Sequence, residues 1–121
     1  MINLLSKIVI LTALICSANI AVPGPAAHAS NAHGVKIGQV IVGRSGHEVQ
    51  FSIMGNVPAT PCANTHSSGL RYMFSLNRAD GEALLSTILT AKTAGMTLTI
   101  VGTNSCNDAD NVEFISYLWL V

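Results

Sequence analysis

Few residues of this chain have the types and spacing that chemistry needs. Gly43-Arg44-Ser45-Gly46 sets a serine among glycines, but a nucleophile elbow needs its second glycine one position later and a helix after it. His47-Glu48 lacks the second histidine of a zinc-protease helix. The three histidines beyond residue 29, His33, His47 and His66, fall in a terminal stretch, a hairpin and a loop, so a metal site would require them to meet only in the tertiary fold. A start at Asn31-Ala32-His33 would chelate Cu(II) through terminal and backbone nitrogens, whereas a start at Ser30 puts the histidine fourth. Asp108 and Asp110, between Asn107 and Asn111, offer hard oxygens to calcium without a recognised loop pattern, and read as a solvated turn. The expectation is a protein that is not an enzyme and carries no cofactor and no metal.

The cysteines are more informative. Met1 to Ala29 has the order of an export signal: Lys7, an apolar run from Ile8 to Val22, a break at Pro23-Gly24-Pro25, then the small-x-small triplet Ala27-His28-Ala29. That run is shorter than the roughly 20 residues of a spanning helix, and Ile15 before Cys16 is too bulky for lipoprotein processing. Cleavage before Ser30 would remove Cys16 and leave Cys62 and Cys106. In a periplasmic or secreted protein two remaining cysteines are expected to join. Neither has a second ligand at metal spacing.

Residues 30 to 121 are enough for one domain. A chain this short buries a modest share of its surface, so a cross-link matters. Lys36, Arg44, Arg71, Arg78 and Lys92 stand against Glu48, Asp80, Glu82, Asp108, Asp110 and Glu113. No concentrated basic face results, which excludes nucleic acid as the main partner. Half of the full chain is hydrophobic and 10% charged, a balance that points to surface covered by another subunit or a partner. No membrane association is expected once the signal is removed.

The elements that position these residues follow from periodicity. Gly34 to Val42 is β-branched and alternates imperfectly around Gly38, the mark of a bend or bulge. Gly43 to Gly46 is a turn, after which His47, Val49, Phe51 and Ile53 alternate with polar residues as a half-buried strand. Gly55 to Gly69 is a long loop anchored by Cys62, and Leu70 to Leu76 a third strand. Asn77 is placed to cap a helix carrying Leu84, Ile88 and Ala91 at helical spacing, with Lys92 in its last turn and Gly95 ending it. Met96 to Val101 is a fourth strand, Gly102 to Asn111 a polar loop, and Val112 to Val121 the fifth strand. The order β-β-β-α-β-β is that of an OB-fold, so the expected fold is mainly β with one helix, a five-stranded OB-like barrel stapled by one disulfide.

The fifth strand is apolar on both parities: Phe114, Leu118 and Leu120 on one, Ile115, Tyr117, Trp119 and Val121 on the other. Only one face of a small barrel wall meets the core, so the other is covered by the same chain or by another protein. Ile115, Tyr117 and Trp119 are the candidate interface residues, because aromatic anchors dominate interface energetics.

Cys62, Tyr72-Met73-Phe74-Ser75-Leu76, Gly81-Glu82-Ala83, Leu84-Leu85, Ala91, Gly95, Gly102-Thr103, Cys106 and Tyr117-Leu118 together resemble small secreted bacterial proteins of largely unassigned function. In outline the chain also resembles the B subunits of AB5 toxins. That resemblance implies an exported, disulfide-bearing OB-fold that forms a pentameric ring and binds host glycans; no glycan-contact residue is carried over from it. The expectation is therefore a secreted binding module with an oligosaccharide or protein partner and a possible homo-oligomer. Its candidate ligand residues are Asn64, Thr65, His66 and Ser67 in one loop and Asn104, Asn107 and Asp108 in another, whose amides, hydroxyls and carboxylate suit sugar hydroxyls. Turn chemistry alone would also place such residues there. The alternatives are a periplasmic structural or accessory protein and an inhibitor, each acting through a protein interface.

Overall fold

The stretches rich in β-branched and aromatic residues form strands, and one amphipathic stretch forms a helix between the third and fourth. A computed structural model of the chain describes residues 30–44, 46–62 and 69–121. The expected signal at 1–29 lies outside the described residues. The elements are β1 (Asn31–Val42), β2 (Glu48–Met54), β3 (Tyr72–Ser75), α1 (Gly81–Ala94), β4 (Leu98–Cys106) and β5 (Glu113–Leu120). The strands close into a ring in the order β1-β2-β3-β5-β4. All pairs are antiparallel except β3 with β5. This is the mainly β, OB-like barrel with one helix that the element order implies.

Ring closure falls to β1, which pairs with β4 through Asn31 to Val35 and with β2 through Lys36 to Val42. One strand can serve both neighbours because it bends. Between Ile37 and Val40 it carries one residue more than β2 opposite it, a bulge at the glycine that the sequence marks. A Cβ on Gly38 would lie 2.5 Å from the Ser52 hydroxyl, and that hydroxyl accepts the Gln39 N–H at 2.8 Å. The Gly38 carbonyl accepts from the Lys92 ammonium in the last turn of α1.

The barrel interior is one apolar cluster, with Val35, Ile37, Val49, Phe51, Tyr72, Phe74, Leu98, Ile100 and Ile115 from the strands and Leu84, Ile88 and Ala91 from α1. Phe51 packs against Tyr72 and Phe74 with ring centroids 5.9 and 6.3 Å away. A smaller cluster of Leu70, Met73 and Val112, joined by Ile41 and Phe114, lies apart from it. The helix ends on Gly95 in the left-handed conformation, as expected. Its start differs from the expectation: Asp80, not Asn77, occupies the N-cap, with no side-chain cap. The Asp80 carboxylate instead takes two hydrogen bonds of 2.8 Å from the Arg78 guanidinium.

β4 also runs further than expected. Gly102 to Cys106 is strand, not loop, with register shifts after Val101 and Gly102. The connection between β4 and β5 shrinks to residues 107–112, and Cys106 joins Cys62 with sulfurs 2.06 Å apart.

Candidate functional site

The buried polar residues converge where β1 begins. Arg71 and Glu113 each stand second in an otherwise apolar segment, Leu70 to Phe74 and Val112 to Ile115, and the parallel pairing of Tyr72 with Glu113 brings them together. The Glu113 side chain is fully buried. It accepts from the Arg71 Nη1 and the Ser30 N–H, both at 3.2 Å, from the Asn104 N–H at 3.0 Å, and from the Ser30 hydroxyl. Arg71 also donates to the Ala59 carbonyl at 3.1 Å, and its guanidinium carbon lies 4.5 Å from the Tyr72 ring centre. The Tyr72 hydroxyl donates to the Ser30 carbonyl at 3.2 Å. Burial holds that hydroxyl above the ordinary phenol range, against the smaller opposing effects of the Ser30 hydrogen bond and the Arg71 charge. Both carboxylate oxygens of Glu113 are met by donors. The sequence signal for this cluster was a charged residue standing second in each of two apolar segments, and sequence reasoning passed over it.

Of the expected ligand residues, Asn104, Asn107 and Asp108 lie within two residues of Cys106, the disulfide partner of Cys62. Asn64, Thr65, His66 and Ser67 lie outside the described residues. Asn104 is in β4 with φ of 63° and an exposed side chain. Asn107 is committed to its own loop: its Oδ1 accepts the Asp110 N–H at 2.6 Å and its Nδ2 donates to Glu48 at 3.4 Å. Asp108 is exposed at the tip. Gln50, expected on a solvated face, is fully buried and donates to Asp110 at 2.6 Å. The Oε2 of Glu48 and the Oε1 of Gln50 are buried with no hydrogen-bond partner among the described residues. Among the described residues no three His, Cys, Asp or Glu side chains group as a metal site.

The third surface is the outer face of β4 and β5. Tyr117 and Trp119 are 53% and 45% exposed, and their rings stack with centroids 5.8 Å apart and planes 20° from parallel. In register, Thr99 faces Trp119, Val101 faces Tyr117, and Asn31 of β1 faces Val101; directly paired residues share a face. The expected assignment of Ile115 to this surface is corrected: Ile115 is fully buried in the core. The cause is a bulge. Val101 pairs with Tyr117 and Gly102 with Ile115, which leaves Ser116 as an extra residue on β5 and inverts the parity beyond it. Ile115 and Leu118 therefore both reach the core, and Tyr117 and Trp119 face out. Arg78 secures the bulge by donating to the carbonyls of Ile115 at 2.6 Å and Ser116 at 2.8 Å.

An open concavity on α1, lined by Leu89, Thr90, Thr93 and Ala94, contains no charged or titratable side chain. No helix among the described residues is long and apolar enough to cross a membrane. Comparison with protein-family models, curated proteins and solved structures gave no match.

Proposed function

We propose that the chain is an exported, non-enzymatic binding module that takes an oligosaccharide on the outer face of β4 and β5. The observation that carries this reading is the exposed Tyr117–Trp119 stack. Two nearly parallel rings present a flat apolar platform to the C–H faces of sugar rings. Asn31, across β4 from that platform, supplies an exposed amide for the hydroxyls at its edge. Sparse, balanced charge supports a neutral ligand over a polyanion.

Trp119 is the only tryptophan, so its fluorescence reports directly on the platform. A glycan array probed with the exported protein identifies the sugar, and titration of that sugar should shift the Trp119 emission. Trp119→Ala should weaken binding at least about tenfold with no change in Tm. Binding lost through Asp108→Ala and retained in Trp119→Ala would refute this site in favour of the loop pole.

A second reading is self-association through the same face, as in a toxin B-subunit ring. The exposed Leu120 and Val121 at the end of β5 extend the apolar surface and favour it. Light scattering separates the two: a ring-sized mass that Trp119→Ala reduces to a monomer supports assembly, and a monomer in both proteins leaves the platform to the ligand.

A further inference from the structure

We infer that the barrel contains a socket for a free amino terminus: once the bond between Ala29 and Ser30 is cut, the Ser30 α-ammonium pairs with the Glu113 carboxylate inside the protein. The inference rests on the export reading and extends it from targeting to folding. Hydrolysis of that amide by an export peptidase consumes one water, leaves a carboxylate on Ala29 of the released segment, and gives Ser30 an amine that takes up a proton.

The geometry is already in place. Ser30 is 6% exposed, and its nitrogen lies 3.2 Å from the Glu113 Oε1. Its hydroxyl donates to Oε2, and its carbonyl accepts the Gly102 N–H at 2.9 Å and the Tyr72 hydroxyl at 3.2 Å. Each polar group of one residue is thus fixed, at the position immediately after the small-x-small triplet. Arg71 meets Glu113 through Nη1 alone, while its Nη2 is turned to the Ala59 and Pro58 carbonyls. Among the described residues, Oε1 receives the Ser30 and Asn104 N–H groups and no cation. Converting the Ser30 amide to an ammonium places a charge there, and a charge-assisted hydrogen bond is roughly twice as strong as a neutral one.

The charged and titratable groups facing the ammonium are Glu113, Arg71 and the Tyr72 hydroxyl. The pairing contributes only while the α-amine is protonated, so its contribution disappears as pH rises through the folded-state titration of that amine.

The test compares the exported, processed protein with the same chain exported with Gly-Gly inserted after Ala29, each start verified by intact mass. At about pH 6.5 the processed protein should melt about 5 °C higher, and the gap should close above about pH 10 and be absent when both forms carry Glu113→Gln. Should that substitution prevent folding, cyanate carbamylation of the processed protein's α-amine, which removes the charge and keeps an N–H, should lower its Tm to that of the extended chain. A processed mass that starts elsewhere refutes the socket together with export cleavage at this bond. A start at Ser30 with equal Tm values, or a Tm indifferent to carbamylation, overturns the socket and leaves export intact.

Discussion

Gly102→Ala should be among the most damaging single-methyl additions in this protein, and its cost should vanish when Glu113 is also removed. Gly102 does not have a positive φ, so alanine brings no backbone strain. The added Cβ would lie 2.5 Å from the Glu113 carboxyl carbon and 2.8 Å from Oε2, distances that real Cβ atoms do not tolerate. The carboxylate must leave, and Ser30, Asn104 and Arg71 lose their acceptor. Arg71, 6% exposed, becomes a buried charge without its counterion. Removing one partner of such a pair costs about 3–5 kcal/mol, which for a domain of this size is a Tm fall of at least about 12 °C. Glu113→Ala should cost about the same, since it strands the same arginine. The double variant Gly102→Ala/Glu113→Ala should then lie within about 0.5 kcal/mol of Glu113→Ala alone, because the methyl now enters space the carboxylate has vacated. Urea unfolding followed by far-ultraviolet circular dichroism measures all four corners of this cycle. Additive costs would refute the reasoning, since they would mean that the methyl acts through something other than the Glu113 carboxylate.

Cys62→Ala/Cys106→Ala releases a cross-link spanning 44 residues and should lower the unfolding free energy by about 4 kcal/mol on loop-closure entropy, read as a lower urea midpoint. Ile115→Ala should cost about 2–5 kcal/mol as a core truncation, and Tyr117→Ala on the outer face about 0.5 kcal/mol or less; equal costs would contradict the bulge at Ser116. Asp80 is held below its ordinary carboxylate value of 3.8, chiefly by the hydrogen bonds from Arg78. Any stability it adds is present above that value and lost as pH falls through the depressed folded one, so the midpoint difference between wild type and Asp80→Asn should hold at about pH 6 and shrink toward about pH 2.

The order of elements was legible because each carries its own period: β-branched alternation in β1 and β2, helical spacing of Leu84, Ile88 and Ala91, and Gly95 as a stop. The pairing of Cys62 with Cys106 followed from the count of cysteines left by the expected export signal. Parity in β5 was not legible, because alternation assumes an unbroken ladder. The one cue was Ser116, a polar residue in the run from Phe114 to Val121 that marks the bulge. The length of β4 was hidden for a related reason. Gly102 to Ser105 has loop composition, yet Gly102 is in the ladder because only a residue without a side chain leaves room for Glu113. Part of the loop site was readable as turn chemistry, since the Asn107 side chain serves its own turn. Burial of Gln50 depends on a loop distant in sequence folding over β2, which local alternation cannot encode.

These departures share a cause in the way the ring closes. Four of its five seams are antiparallel, three of them with five or fewer paired residues apart from the long β4–β5 ladder, and the parallel seam between β3 and β5 has only Tyr72 with Glu113 and Met73 with Phe114. Parallel pairing is slightly weaker per residue than antiparallel, so two pairs alone define this register poorly. Arg71 and Glu113 stand at the head of that seam, one on each side, and a register slip would separate them. Ser30 joins the same carboxylate, and its carbonyl takes the Gly102 N–H, so the start of β1 is fixed to β4 at the point where the seam begins. A desolvated ion pair is a poor source of net stability, and its best-attested use is the setting of register. In a chain with so few charges, burying two of them here is understandable as the means by which one arrangement of five strands closes rather than a neighbouring one.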